Sequence, residues 1–536
     1  MWRKWILTAL YDTYERMPSK KYASPEIMLK VMLYAYHEAK DISSRAIEKS
    51  CRRDINYKYL LEGKPAPDHA AIARFRTKHF AKCAQDFLSQ MTGMLHELDQ
   101  VTTSEVFIDG TKIEASANKY TFVWKKAVTK HQARLLRKTA LLVGDIIERH
   151  NLKPLWKKQV NKKHVKQLLK TLRLMAEENE IEFVSGRGHR KEQLQRDIED
   201  LKAALEKIKE YETKLHRCGR RNSYSKTDHD ATFMHMKDDH MMNGQLKPAF
   251  NVQHAVNSGF IVAVGIYPNP TDVLTLKPFV ESMETNLRMR FDRIVADAGY
   301  ESEENLVYLK EKKIEAYIKP GNYEQLGTKK FAKQIGRKEN MRYDKENDCY
   351  ICFNGKTVKK TGSRKGKTAS GYVREVTSYH CSECDGCPYR AKCLEGKNWK
   401  KPLSERYKTL TVSRKFEELR EEEYRLIHSE EGKKLRRNRS IQAEGCFADI
   451  KGDSGFVRFL CRGTENVQAE YILFAMAHNL GWLHSRIQND KLDLHLYRTD
   501  ARKKLHNFKT EKTESKFRGR EKSLCFCVAQ KIIICS

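Results

Sequence analysis

The chain has 536 residues and carries 102 Lys and Arg against 70 Asp and Glu, a formal net charge of +32. Such a length exceeds one hydrophobic core and points to about three or four domains. The charge calls for a polyanionic partner, nucleic acid before an anionic membrane, and no apolar run reaches the ~18–20 residues of a membrane span.

The first apolar stretch, Trp5-Ile-Leu-Thr-Ala-Leu10, is too short for a signal peptide and is followed by Tyr-Asp-Thr-Tyr-Glu-Arg with no small-residue cleavage site. It reads as an amphipathic helix. Residues 1–100 are predicted all-helical. Ser24-Pro25 supplies an N-cap and an N1 proline, Ser43-Ser44 opens a second helix, and Pro67-Asp68 opens a third. Arg74, Arg76 and Lys78 come early on that third helix, which makes the segment a candidate helix-turn-helix-like DNA reader.

A strand is predicted within 101–119, around Val-Phe-Ile-Asp109-Gly-Thr-Lys-Ile. A helical insertion follows over 120–220. Its second half repeats apolar residues at Leu194, Ile198, Leu201, Leu205, Ile208, Tyr211 and Leu215, a heptad-like seam. A turn at Gly186-Arg-Gly188 makes it an antiparallel hairpin packing on itself, with a dimerising or DNA-clamping arm as the other reading.

From 245 to 320 the period changes. Two strands flank a turn at Asn257-Ser-Gly259, Thr271-Asp272 caps a helix, and Arg-Ile-Val-Ala-Asp297-Ala-Gly-Tyr is another strand. A helix over 302–313 and a short strand at Glu315 complete a mixed sheet with helices on it. Asp109 and Asp297 are therefore expected near strand ends, desolvated, and in need of a partner that lowers that cost. A metal ion is one such partner. Asp272 is the closest rival carboxylate and reads as a helix-capping residue. Glu444 stands on a predicted helix with Lys451 seven residues on, hence on the same face. Asp449 lies off that face and reads as structural.

Residues 321–404 are rich in Lys, Gly and Cys. Six of the 14 cysteines lie between Cys349 and Cys393, spaced Cys349-x2-Cys352 and Cys381-x2-Cys384-x2-Cys387-x5-Cys393, which favours metal over disulfides. Zinc takes four thiolates in a tetrahedron, and a closed site of this kind is structural. The tail, 491–536, has a basic stretch and a cysteine-flecked end and is expected to be disordered.

Several stretches together resemble the bacterial insertion-sequence transposases of the DDE type. They are Ser-Pro-Glu-Ile-Met-Leu-Lys, Pro-Asp-His-Ala-Ala-Ile-Ala-Arg-Phe-Arg, Ile-Asp109-Gly-Thr-Lys-Ile-Glu-Ala-Ser-Ala-Asn-Lys-Tyr, Val-Ala-Asp297-Ala-Gly-Tyr, and Arg439-Ser-Ile-Gln-Ala-Glu444-Gly-Cys-Phe-Ala-Asp-Ile-Lys451, followed by Arg458-Phe-Leu-Cys-Arg462-Gly. The resemblance spans most of 20–490.

The resemblance implies an α/β, RNase H-like core made of 101–119, 221–320 and 405–490. A helical insertion (120–220) and a cysteine-rich insertion (321–404) interrupt it, and a helical DNA-binding domain (1–100) precedes it. It implies Asp109, Asp297 and Glu444 as catalytic ligands of two Mg2+ ions, with Mn2+ as a substitute. Two hard cations about 3.5–4 Å apart suit phosphodiester cleavage and strand transfer. Lys451, Arg439, Arg458, Arg462, Arg74 and Arg76 become DNA contacts. Cys352, Cys384, Cys387 and Cys393 become zinc ligands, with Cys381 and Cys349 as alternates. The partners are double-stranded DNA, as terminal inverted repeats and target, and a second copy in the synaptic complex. The expected place is the bacterial cytoplasm, at the nucleoid. Four positions depart from the family pattern. An arginine often stands four residues before the glutamate, where this chain has Ser440, with Arg439 one residue earlier. Val457, Asn466 and Ala71 replace an expected basic residue, lysine and threonine. The alternative reading is a catalytically decayed transposase acting only as a zinc-bearing DNA-binding protein.

Overall fold

The computed structural model describes residues 5–15, 21–153, 160–186, 189–236, 244–368, 370–395 and 401–492. The expected tail (491–536) and the turn at Gly186–Gly188 fall largely outside these residues. Two compact units divide the chain. The first is Met1–Thr111, Asn251–Cys461 and Glu465–Ser536; the second is Lys112–Phe250 with Arg462–Thr464.

The first unit is built on a mixed sheet. Its strands are β1 (Glu105–Glu114), β5 (Leu246–Asn257), β6 (Phe260–Tyr267), β7 (Arg293–Ala296) and β8 (Glu315–Ile318), numbered with β2 (Phe122–Trp124), β3 (Ser223–Ser225) and β4 (Thr232–His235) of the second unit. Across the sheet the order is β6-β5-β1-β7-β8. β5 and β6 are antiparallel, while β1, β7 and β8 run parallel. Ser258 and Gly259 join β5 to β6 with φ of 54° and 82°. Two left-handed residues are what a tight hairpin requires, and a Cβ on Gly259 would come 2.7 Å from the Trp482 indole nitrogen.

β6 is an edge strand whose free backbone groups are covered. Asn479 pairs with both the N–H and the carbonyl of Ile261 at 2.8 Å, and the Thr92 hydroxyl donates to the Val262 carbonyl. An edge covered in this way cannot recruit another strand. Asn479 belongs to the buried helix Thr464–Gln488, and Thr92 to Ala81–Glu97. The opposite part of the sheet buries Phe107, Val295 and Tyr317 against Ile427 and Leu435 of helices Arg414–His428 and Glu430–Arg439.

The N-terminal helices begin where their caps place them. Ser24 Oγ accepts the Ile27 amide at 3.3 Å, and Asp68 Oδ1 accepts the Ala71 amide at 2.6 Å. Helix His69–Arg74 continues through a π-helical turn, Phe75–Phe80, into Ala81–Glu97.

A second sheet in the first unit, unforeseen from sequence, comprises β9 (Arg342–Asp344), β10 (Cys349–Ile351), β11 (Thr357–Lys367), β12 (Val373–His380) and β13 (Thr409–Val412) in the order β13-β12-β11-β10-β9, all antiparallel. Its small core gathers Met341, Tyr350, Val358, Tyr379 and Val412. The Arg414 guanidinium lies 3.7 Å from the Tyr343 ring centroid and donates to Asp348 Oδ1 at 3.1 Å. Most of β11 is polar and exposed, so it lacks the period-2 signal that marks a half-buried strand.

In the second unit, helices Lys125–Arg149, Lys162–Glu178 and Gln193–Cys218 pack together. The apolar seam at Leu194, Ile198, Leu201 and Leu205 is buried against Val143, Ile146, Val165, Leu168 and Leu172. Buried Asp197 is held by Arg149 at 2.5 Å and His150 at 2.8 Å. β4 pairs with the first residues of β5, from Thr232↔Ala249 to His235↔Leu246. Among the described residues, no helix is long and apolar enough to cross a membrane.

Candidate active site

β1 and β7 are neighbouring parallel strands in register at Phe107↔Val295. Two residues beyond that pair on each strand's course stand Asp109, within β1, and Asp297, just past the end of β7. Asp109 differs from the expectation in one respect: it lies inside β1, which continues to Glu114, whereas Asp297 directly follows β7. Asp109 is only 8% exposed. Asp297 Oδ1 accepts the Gly299 amide at 2.8 Å and so caps the short turn Ala298–Tyr300.

Glu444 enters from the helical segment behind the sheet, and Arg439 links it to β1. The Arg439 guanidinium is 2.9 Å from Glu444 Oε1 and 3.4 Å from Asp109 Oδ2. Its side chain is only 11% exposed. Arg439 stands five residues before Glu444, the spacing that departs from the family pattern. The backbone explains why this spacing works. Ser440–Glu444 is a π-helical turn, in which residue i lies below i+5 rather than i+4. The extra residue is absorbed and Arg439 still lies under the glutamate.

Groups from the sheet and the last helix hold this segment. His254 on β5 bonds through Nε2 to the Ala443 carbonyl at 3.2 Å and stacks on Phe447 at 3.6 Å between centroids. Full burial pushes the His254 imidazole down to about 3, so it is neutral. Gln442 Oε1 accepts the Gly259 amide at 3.1 Å. His478 bonds to Asp449 through Nδ1 at 3.2 Å and to the Gly259 carbonyl through Nε2 at 3.0 Å. Asp449 thus pairs with His478 of the last helix. A π-helical turn at Asp449–Asp453 winds less per residue than an α-helix, so Lys451 is rotated off the strict Glu444 face that its spacing predicts.

Asp272 is a correction. The helix cap read into Thr271-Asp272 is absent: neither Thr271 nor Thr275 makes a side-chain cap bond, and the helix begins at Leu276. Asp272 Oδ1 instead accepts from Asn251 Nδ2 at 2.7 Å and Gln253 Nε2 at 2.9 Å. Gln253 Oε1 in turn accepts the Tyr300 hydroxyl. Burial holds the Tyr300 phenol well above its ordinary value, and Asp272, Asp109 and Asp297 around it push it further the same way. Three aspartates therefore surround one neutral tyrosine. A Cβ on Gly110 would overlap Gln253 Nε2 and fall 2.8 Å from Asp272 Oδ1. At Gly299 a Cβ would sit 3.0 Å from Asp297 Oδ1 and 3.3 Å from Asp272 Oδ2. Asn251, Gln253 and Tyr300 were missed from sequence. The available signal was a pair of amides at alternate positions of β5, hence on one face.

Arg76 is also corrected as a DNA contact. It is 3% exposed, donates to the Ile42 carbonyl at 2.9 Å and faces the fully buried Glu470. Its neighbour Arg74 is exposed, as are Arg458 and Arg462, whose Nε donates to the Ser116 carbonyl at 2.7 Å.

The cysteines of the second sheet are free thiols. Burial raises the Cys393 thiol, and the facing Cys352, Cys384 and Cys387 raise it further. Cys381 is pushed up to about 11, chiefly by burial, and also faces Cys384 and Cys352. Cys349 is buried on β10. Among the described residues, no group of three or more His, Cys, Asp or Glu side chains stands at metal-holding distance.

Two family models match the chain. That of the Transposase DDE domain matches residues 351–484, which include the cysteines from Cys352 to Cys393, Arg439 and Glu444. That of a Transposase domain (DUF772) matches residues 2–78. No curated protein matches the chain.

Proposed function

Because the chain belongs to the insertion-sequence transposases of the DDE type, we propose that it cleaves DNA at the ends of its element and transfers the strand with Asp109, Asp297 and Glu444 as its acidic trio. The observation that carries this reading is the convergence of Asp109 and Glu444, 335 positions apart in number, on the single guanidinium of Arg439, with Asp297 directly after the neighbouring strand β7. The sheet order β6-β5-β1-β7-β8, with an antiparallel pair followed by parallel strands, supports an RNase H-like core.

The donor set suits a divalent cation in its chemistry, although among the described residues no three acids stand at metal-holding distance. Carboxylate oxygens are hard ligands of the kind Mg2+ takes, and a positive group already stands between two of them. Asp109, Asp297 and Glu444 would hold the Mg2+ ions. When bound, the ions neutralise charge at the attacking and leaving oxygens of the phosphodiester. The chain's own groups hold the geometry. Asp297 is fixed by the Gly299 amide, and the Glu444 turn is fixed by His254 and Gln442. Lys451, Arg458 and Arg462 would contact DNA phosphates, with Arg439 as the arginine nearest the scissile group and Arg74 reading DNA from the helical N-terminal segment. Pairing two element ends calls for a homodimer. A structural zinc on Cys352, Cys384, Cys387 and Cys393 rests on their Cys-x2-Cys spacing and on Cys393 facing the other three; among the described residues they do not stand at metal-holding distance.

The test is Mg2+-dependent cleavage of a duplex carrying the element end. Asp109→Asn, Asp297→Asn and Glu444→Gln are each expected to abolish cleavage while DNA binding persists. Full cleavage by any one of them would remove that residue, and with it the trio.

A further inference from the structure

The strands β11 and β12 form a ribbon that leaves its sheet. β11 pairs with β10 only at Thr357–Lys359, and β12 pairs with β13 only at Thr377–His380. Beyond those residues the two strands pair solely with each other, out to Lys367↔Val373. Thr368 and Tyr372 close the tip with a 2.9 Å backbone bond, and Gly371 takes a φ of +96°.

This free stretch carries Arg364, Lys365, Lys367 and Arg374, all exposed, against Glu375 as its one acid. Among the described residues, none of the four cations is in an ion pair, in contrast to Lys360 at the ribbon's base, which is paired with Asp348 at 2.8 Å. Past the irregularity between Lys360 and Gly362, Lys365 and Lys367 share one face, while Arg364 and Arg374 lie on the other. A two-stranded ribbon exposing unneutralised cations on both faces is costly to leave without counter-charge in a chain already at +32.

The tip is anchored. The Tyr372 hydroxyl donates to Glu303 Oε1 at 3.1 Å, and the Ser370 hydroxyl bonds to Glu304. Both glutamates open the helix Glu303–Glu311, which begins six residues after Asp297. The ribbon is thereby fixed at two ends and tethered to the segment that carries an aspartate of the proposed site.

We propose that the β11–β12 ribbon is a DNA-backbone clamp, holding duplex DNA beside the carboxylate site through Arg364, Lys365, Lys367 and Arg374. The occupant is double-stranded DNA because its phosphates complement an unpaired cationic ribbon, and a major groove admits a ribbon of two strands. The choice of DNA rests on the transposase reading; the ribbon's role in binding is tested apart from cleavage.

The experiment measures binding of the full chain to a short fluorescent DNA duplex across a salt series. Replacing Arg364, Lys365, Lys367 and Arg374 together by Gln is expected to flatten the slope of log K against log salt by about 2 to 4, since each phosphate contact contributes about 0.9. A second variant keeping charge, Lys365→Arg with Lys367→Arg, is expected to retain the wild-type slope, which separates charge from folding. An unchanged slope and affinity in the Gln variant, or a Gln-variant defect seen with an acidic polypeptide but not with DNA, would overturn the clamp. A wild-type chain that binds with the steep slope but never cleaves would leave the clamp standing and sink the catalytic trio instead.

Discussion

Asp272 shows how one side chain can organise others without reading as functional in sequence. Its Oδ1 takes two amides from β5, and one of them, that of Gln253, occupies the place a Cβ on Gly110, the residue after Asp109, would need. The bracket thus ties the β5 face to β1 and, through Tyr300, to the turn that carries Asp297. Removing its charge with Asp272→Asn is expected to raise the Mg2+ concentration needed for half-maximal cleavage by about 10–100-fold, as loss of a supporting partner usually does. DNA affinity in the absence of metal is expected to be unchanged; a metal requirement equal to wild type would refute the positioning role. Gly110→Ala has no room for its methyl beside Gln253, and a bracket forced open would both destabilise the sheet and spread the aspartates.

Among the elements, the π-helical turn Ser440–Glu444 decides whether an arginine one residue out of place still works. A π turn is an α-helix with one residue inserted, and the helix on either side keeps its direction. Deleting Ser440 is therefore expected to restore an α-helical turn with Arg439 four residues before Glu444 and still beneath it. Cleavage should survive that deletion, whereas Arg439→Ala leaves Asp109 buried without its cation, at a cost of about 3–5 kcal/mol. Loss of cleavage in both variants would show that the π turn itself, and not the arginine's place, is what the site needs. Sequence spacing alone did not place Arg439 against Glu444 and Asp109, because helical register is a property of the folded backbone.

For the whole molecule, charge and cysteine content lead to separate expectations. The purified full chain is expected to contain about one zinc per chain, falling to none when Cys384 and Cys387 are both replaced by Ser. The wild-type chain lacking zinc would remove the four-thiolate site while leaving the β9–β13 sheet in place, since that sheet has an apolar core of its own around Tyr350, Val358 and Tyr379.

Strand and helix positions around the trio were legible because they rest on local chemistry: Ser24 and Asp68 cap the helices they were expected to cap, and apolar β-branched runs form β1 and β7. The second sheet was not legible, because β11 is held by its backbone ladder and shows no apolar alternation. The sequence by itself determined which acids stand on strands and that the chain would seek a polyanion. Only the tertiary structure decided that Arg76 is spent inside on Glu470, that Asp272 belongs with Asp109 and Asp297, and that Arg439 reaches both Asp109 and Glu444. The physical reason is common to all three: a buried charge takes whichever partner the packing brings within a few ångströms, and that partner can lie hundreds of residues away in the chain.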